Sequence, residues 1–130
     1  MVPIDHSRLH ARDFGGKPED YLPIDNFLDQ TKFALADDGR HRAFLHNPTG
    51  IALVERVFGA TIRNSAGCEI PTRELARRHI MQDCGRVPTL REWVEALEKQ
   101  SNPFNAPNKA DLKWLRENYY EAKEPECQNV

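Results

Sequence analysis

The chain has 130 residues, of which 39% are hydrophobic and 29% charged, and its formal net charge is -2. This length suits a single domain, and the near-neutral charge argues against nucleic-acid binding over the whole surface. No apolar run approaches the roughly 20 residues that span a bilayer, and the start lacks the features of a secretory leader. We therefore expect a cytoplasmic protein with no membrane partner.

The first half of the chain predicts three helical stretches after an irregular start. Glycines and prolines are frequent over residues 1–23, which predicts an arm with a short helix around residues 7–13. Asp25 has the side chain of an N-cap and predicts a helix over residues 25–36. Another helix is predicted over residues 40–46, and a new one begins at Pro48 because proline suits the first helical turn.

The second half predicts a hairpin followed by three helices. Two short β-prone runs, 61–63 and 68–70, flank an Asn-Ser-Ala-Gly loop that is typical of a hairpin. Helices are predicted from Thr72, from the capping box at Thr89 and from about Asn108. The apolar positions predicted to pack in the core of the second of these helices are Leu90, Trp93, Val94 and Leu97.

These elements predict a mainly α protein: a compact single domain of about five helices with one small β-hairpin. Residues 1–100 would form the domain, and residues 101–130 would add a linker, a C-terminal helix and a mobile tail. The three cysteines, an odd number without a Cys-x-x-Cys motif, indicate reduced thiols rather than a disulfide framework.

The distribution of histidines is the main indication of chemistry, because imidazole binds metals and transfers protons near neutral pH. Histidines lie in several separated segments, and His79 and Asp83 share one helix face at a spacing of four residues. Zinc or another divalent metal is the candidate cofactor, with Glu55 as an outer hydrogen-bond partner of the ligands or a general base. The alternative is a polar core in which the histidines bond carboxylates. The candidate metal ligands are His6, His41, His46, His79 and Asp83.

The middle of the chain is rich in arginine. Residues 39–100 carry ten basic and seven acidic side chains, and nine of the ten basic ones are Arg. Arginine suits the planar anions phosphate and carboxylate. The candidate anion-binding residues are Arg40, Arg42 and Arg56, although solvated helix faces would account for the same pattern.

Residues 5–95 resemble an uncharacterised family of short phage and bacterial proteins, described only as a domain of unknown function. The resemblance carries no established activity. It rests on these matches in chain order: His6-Ser7; GGKPEDYLPI at 15–24; Arg40-His41-Arg42-Ala43 with His46; Gly50-Ile51; Glu55-Arg56; Phe58-Gly59; Ile62; Asn64-Ser65; Gly67; Pro71; His79; Asp83; Gly85; Pro88; and Trp93.

This resemblance implies a small phage-type accessory protein that acts by binding a protein partner, for example as an inhibitor of host or defence machinery. Its histidine cluster would be structural or metal-stabilised. The alternative function is a small metal-dependent hydrolase acting on a phosphate-bearing substrate, so the sequence leaves open whether the protein is an enzyme. A binding module would expose an apolar patch, for which Trp114, Tyr119 and Tyr120 are the candidates.

Overall fold

The computed structural model describes residues 1–33, 40–99 and 108–120. Within these ranges, six α-helices and one two-stranded hairpin confirm the predicted mainly α class. The helices are α1 (Pro3–Phe14), α2 (Pro18–Leu28), α3 (Pro48–Phe58), α4 (Thr72–Cys84), α5 (Leu90–Glu98) and α6 (Lys109–Leu115). The antiparallel strands are β1 (Thr61–Arg63) and β2 (Glu69–Pro71). Short 3-10 turns cover Gln30–Phe33 and Arg40–Ala43, and a π-helical turn covers Arg116–Tyr120.

The start of the chain is more helical than the predicted arm. Helices α1 and α2 each begin at a proline, whose missing N–H costs nothing in the first turn. Asp25 lies inside α2 and is fully buried, so the predicted N-cap is wrong. Helix α1 is difficult to predict because its buried face is mostly polar and shows little apolar periodicity. The predicted end of the second helix, at residues 34–39, lies outside the described residues.

A 3-10 turn stands where a helix was predicted over residues 40–46. The predicted start at Pro48 is confirmed, and the Asn47 side chain caps α3 by accepting from the N–H groups of Thr49 (2.8 Å) and Gly50 (3.1 Å). A Cβ atom at Gly50 would collide with the backbone of Leu45, so only glycine permits this close approach. The segment that carries His46 is thereby held against α3.

The apolar core consists of two clusters carried largely by the helices that also carry the polar interior. The larger cluster is Tyr21, Ile24, Leu28, Leu45, Val54, Ile70, Leu75 and Ala76. The smaller cluster is Ala43, Ile80, Cys84 and Trp93. Along the sequence of α4, the fully buried His79 comes between Leu75 and Ile80, which both pack in the apolar core. The same helix therefore packs apolar and ionisable groups in successive turns.

Helix α5 buries a narrower face than its sequence predicts. Trp93 is 1% exposed, whereas Leu90, Val94 and Leu97 are 55%, 47% and 39% exposed. The helix packs through the Trp93 side on the Arg40–Ala43 turn, so the other three apolar residues point away from the core. None of the described helices combines the length and apolar composition needed to cross a membrane.

The C-terminal helix packs on α1. The Arg12 guanidinium pairs with Asp111 (3.2 Å) and lies over the Trp114 ring, 5.1 Å from its centroid. The Arg8 guanidinium lies 4.2 Å from the centroid of the Tyr119 ring. These rings are therefore engaged within the chain, although Tyr119 stays 41% exposed. The predicted linker and tail lie outside the described residues.

Candidate metal centre

Three parts of the fold bring histidines and aspartates to one buried point. His6 comes from α1, Asp29 follows the last residue of α2, and α4 contributes His79 and Asp83 from adjacent turns of one face. One ligand atom from each of these four side chains lies within 4.8 Å of all the others. All four side chains are buried, with Asp29 the most exposed at 7%.

The distances within this centre are those between ligands that share an ion. His6 Nε2 lies 3.2 Å from Asp83 Oδ1. His79 Nε2 lies 3.2 Å from Asp29 Oδ1 and 3.5 Å from Asp83 Oδ2. Ligands bound at about 2.0–2.2 Å around one metal stand about 3 to 3.5 Å apart. The four side chains could therefore surround a single ion with small adjustments.

Two further histidines and an arginine border the centre. His46 Nε2 lies 2.8 Å from Asp83 Oδ2 and 3.4 Å from Asp29 Oδ1. His41 Nε2 is more distant, at 3.9 Å from Asp29 Oδ1. An Nη atom of Arg42 lies 3.4 Å from Asp83 Oδ1, which also lies 3.5 Å from the α-amino group of Met1. Asp83 therefore contacts most of the side chains in and around the centre.

Hydrogen bonds on the far side of the rings orient the two central histidines. His6 Nδ1 lies 2.6 Å from Gln82 Oε1, and His79 Nδ1 lies 2.8 Å from Asp25 Oδ1. An amide oxygen and a carboxylate only accept, so each Nδ1 carries the proton and donates it. Each Nε2 is then available toward the aspartates. This is the arrangement in which proteins hold histidine ligands of metals.

Asp25 is itself held by two side chains of α1. Its Oδ2 accepts from Ser7 Oγ at 2.7 Å, and its Oδ1 lies 3.2 Å from His10 Nε2. All three residues are fully buried. The orientation of His79 thus depends on a second layer of hydrogen bonds that α1 supplies.

His6 Nε2 is a buried nitrogen with no hydrogen-bond partner among the residues that the structure describes. Its neighbour at 3.2 Å is Asp83 Oδ1, and the geometry between them is not that of a hydrogen bond. A buried polar nitrogen without a hydrogen-bond partner is unfavourable. A metal ion beside it would bind this nitrogen in its unprotonated form.

The electrostatics of the centre keep its carboxylates ionised. Burial alone would raise the pKa of Asp29, but the charge of His79 and hydrogen bonds from His41 and His79 outweigh it, so the pKa falls below its usual range. The pKa of Asp83 is likewise held low, against burial, by the charge of His6 and a hydrogen bond from His46. Buried carboxylates that stay ionised require positive partners, either protonated histidines or a metal ion.

Without an ion, the surroundings shift the pKa values of His79 and His46 in opposite directions. Burial lowers the pKa of His79, but the charge of Asp29 and the bond to Asp25 outweigh it and raise the pKa to about 10. Burial dominates at His46 and lowers its pKa to about 4. One proton therefore sits between His79 and the aspartates, while His46 stays neutral. A divalent ion at the same point would replace that proton.

Comparison with known protein families matches residues 1–102 to the family described as Domain of unknown function (DUF6915). The chain belongs to this family. No curated protein and no solved structure matches the chain. The DUF6915 region contains every residue of the centre, whereas α6 lies beyond it.

The structure brings together most of the candidate ligands that the sequence names. His6, His79 and Asp83 of the DUF6915 protein meet at the centre, and His46 and His41 border it. Glu55 is not among the contacts of the centre: it is partly exposed and pairs with Arg73 at 3.0 Å. The expected role of Glu55 therefore has to be corrected, because its position on α3 directs it to the surface.

Two of the three candidate anion-binding arginines, Arg42 and Arg56, lie in different surroundings. Arg42 is buried beside Asp83 and so balances a carboxylate of the centre. Arg56 lies exposed on α3. The backbone of Arg40 begins a 3-10 turn, but its side chain is outside what the structure describes. Arg42 and Arg56 therefore do not form the predicted anion site together.

Sequence reasoning missed Asp29, Asp25 and Gln82. Asp25 and Asp29 are four residues apart on one helical face, the same spacing as His79 and Asp83. Two such pairs on two helices were the signal that could have identified the centre. Gln82 carried no comparable signal, because its role depends on the approach of α1.

Proposed function

We propose that this DUF6915 protein is a small metal-binding domain whose buried centre holds one divalent ion. The observation that carries the proposal is the convergence of His6, His79, Asp29 and Asp83, with ligand atoms within 4.8 Å of one another. The donors are nitrogen and oxygen atoms, which suit first-row divalent metals. The protonated Nδ1 atoms of His6 and His79 leave the two Nε2 atoms available to that ion.

The proposed role of the ion is structural. Its ligands come from α1, from the residue after α2 and from α4, so an ion would tie together three segments that are distant in sequence. Structural metal sites are closed by protein ligands, whereas catalytic sites keep a position open to substrate. The burial of all four ligands supports the closed type.

Metal analysis of two matched variants tests the proposal. His6 and Leu9 both lie on α1 and are both fully buried, but only His6 belongs to the ligand group. We expect about one equivalent of metal in the purified wild-type chain and in folded Leu9→Ala, and none in His6→Gln. Chelation should lower the melting temperature of wild type by about 10 °C, if the ion was present at about 100 times its Kd.

Metal-free wild-type protein whose melting temperature does not change when divalent ions are added would contradict the proposal. The centre would then be a polar core of histidine–aspartate pairs, which was the alternative at the outset. Equal loss of metal in His6→Gln and Leu9→Ala would also contradict it, because the loss would then follow general disruption of α1.

One observation favours metal-dependent hydrolysis as a second candidate function. An Nη atom of Arg42 lies 3.4 Å from Asp83 Oδ1, beside the proposed ion. A guanidinium beside a metal site is suited to bind phosphate. This candidate predicts metal-dependent phosphate release from nucleoside triphosphates that is lost in Arg42→Gln while the metal is retained. No release with Mn²⁺, Mg²⁺ or Zn²⁺ would contradict it.

Action as a phage-type accessory protein through a protein partner stays a prediction, supported by the family resemblance rather than by the centre. In this proposal the ion stabilises the domain and the partner binds elsewhere. Partner capture that survives in Leu9→Ala but fails in the metal-free His6→Gln protein would link the two. Capture that is equal in both variants would separate them.

A further inference from the structure

An open cavity of about 260 Å³ lies between α1, α4 and α6, and one side chain joins it to the histidine–aspartate centre. Gln82 lines the cavity, and its Oε1 accepts from His6 Nδ1 at 2.6 Å. No residue of the metal-ligand group lines the cavity, so the two sites are distinct. The polar side chains that line it include Arg12, Asp13, Arg77, Arg78, Gln82 and Asp111.

Gln82 presents an unused hydrogen-bond donor to this cavity. The residue is only 6% exposed, and its Oε1 is occupied by His6. Its Nε2 donates to no group of the described residues, and it is not among their buried nitrogens without a partner, so it is accessible from the cavity. An amide nitrogen carries two hydrogens that it can donate. The cavity therefore offers a nearly buried, fixed donor to a hydrogen-bond acceptor.

Three guanidinium groups line the same cavity and also keep donors unused. One terminal nitrogen of each makes no hydrogen bond to the described residues, namely Nη1 of Arg12, Nη1 of Arg77 and Nη2 of Arg78. The planar guanidinium fork matches the oxygen atoms of phosphate and carboxylate groups. These donors and the Gln82 amide favour the same kind of ligand.

Acidic side chains hold the guanidinium groups in place. Asp13 Oδ2 accepts from Arg12 at 3.2 Å and from Arg78 at 3.0 Å, which joins α1 to α4. Asp111 Oδ1 accepts from Arg12 at 3.2 Å and so joins α6 to α1. The lining contains three arginines and two aspartates, which leaves one positive charge in excess. Donors fixed in this way before a ligand arrives lose less freedom when it binds.

We propose that this cavity binds a small oxyanion, the phosphate or carboxylate group of a small molecule, through the Gln82 amide and the guanidinium groups of Arg12, Arg77 and Arg78. This goes beyond the proposed function, because it does not require that the centre hold a metal ion. The two sites share Gln82, so an anion in the cavity would also fix the side chain that orients His6.

Titration of the isotope-labelled full-length protein with sodium phosphate or sodium succinate, followed by NMR at constant ionic strength, tests the proposal. We expect saturable shifts of the Gln82 side-chain amide and of the Gly85 backbone amide, which also lines the cavity. The anion that saturates these shifts at the lower concentration identifies the preferred group. Shifts no larger than those caused by chloride, or shifts confined to residues of the centre, would overturn the proposal.

Two variants and a matched control assign the binding to the cavity. Gln82→Glu keeps an acceptor for His6 but replaces the amide donor by an oxygen. It should weaken binding, followed at Gly85, by at least about 10-fold. Arg78→Gln should weaken it by a similar factor. Arg91→Gln should not, although Arg91 and Arg78 each pair with a glutamate four residues earlier or later on their helix.

The outcomes separate this proposal from the proposed function. Equal weakening in Arg78→Gln and Arg91→Gln would overturn it, because the loss of any positive charge would then explain the result. If Gln82→Glu does not fold, the comparison of these two arginine variants still decides. Bound metal without saturable anion binding overturns this proposal alone, and anion binding by a protein that takes up no metal overturns the proposed function alone.

Discussion

The apolar core and the histidine–aspartate centre share α2 and α4, yet they are held together by different physics. On α4, Leu75 and Ile80 pack among apolar neighbours, while His79 and Asp83 meet ionisable groups from other segments. Apolar burial is non-directional and roughly proportional to area, so it tolerates substitutions of similar volume. The centre depends on direction and on a complete set of partners, because any one left unpaired is costly in a dry interior.

The largest effect should follow loss of the carboxylate that the centre shares. Asp83→Asn removes the negative charge that faces His6, His46 and Arg42. Breaking a buried charge network by removing one partner costs about 3–5 kcal/mol. We expect this loss in the free energy of unfolding by urea titration, together with loss of bound metal. A variant with wild-type stability and metal content would contradict the role given to Asp83.

A substitution of comparable size in the apolar core should leave the centre intact. Leu75 is fully buried in the larger cluster, and Leu75→Ala should cost about 2–5 kcal/mol. We expect the metal content, measured by elemental analysis of the folded protein, to stay at the wild-type value. Loss of metal in Leu75→Ala at a temperature where it is folded would show that the two regions are not separable.

The metal-free protein should lose stability on both sides of neutral pH. The pKa of His46 is lowered from 6.5 to about 4, so the unfolded chain binds the extra proton, and stability falls as pH drops from 6.5 to 4. The pKa of His79 is raised to about 10, so its contribution is complete below pH 6.5 and is lost as pH rises toward 10.

Thermal melts from pH 4 to pH 10 check this profile. Metal should remove the alkaline loss, because the ion replaces the His79 proton. Leu75→Ala should lower the whole curve without changing its shape. An alkaline loss of stability that persists unchanged in metal-loaded protein would argue against His79 as a ligand.

The smallest effect is expected where the two regions join. Trp93 belongs to the smaller apolar cluster, and its indole N–H bonds the carbonyl of His46. Trp93→Phe keeps most of the apolar contact and leaves that carbonyl without this donor, at a cost of about 1–3 kcal/mol. We expect a modest fall in stability by urea titration and a measurable fall in Co(II) affinity. A fall in stability alone would indicate that the bond does not orient His46.

The sequence predicted what depends on local signals. The hairpin, the capping box at Thr89 and the start of α3 follow from turn and cap chemistry, and the structure has them. It did not predict α1, whose buried face is polar, or the exposure of Leu90, Val94 and Leu97, which depends on which neighbours α5 meets.

The residues of the candidate centre also divide into those that local sequence signals identify and those that only tertiary packing brings in. His79 and Asp83 share a face by spacing alone, so the sequence identifies them as a pair. Asp29 and Gln82 become part of the centre only through the packing of α2 and α4 against α1. Glu55 looked equally suitable as a carboxylate, yet its place on α3 directs it to Arg73. Residue type indicates the chemistry, but tertiary packing selects which carboxylates take part.

The most direct test of a metal ion at the histidine–aspartate centre is anomalous X-ray diffraction from crystals of the protein loaded with Co(II), collected at the cobalt absorption edge. The account predicts one strong peak per chain between His6 Nε2, His79 Nε2 and the carboxylates of Asp29 and Asp83. Crystals without a peak at this point, or with peaks only at surface side chains, would contradict the central claim.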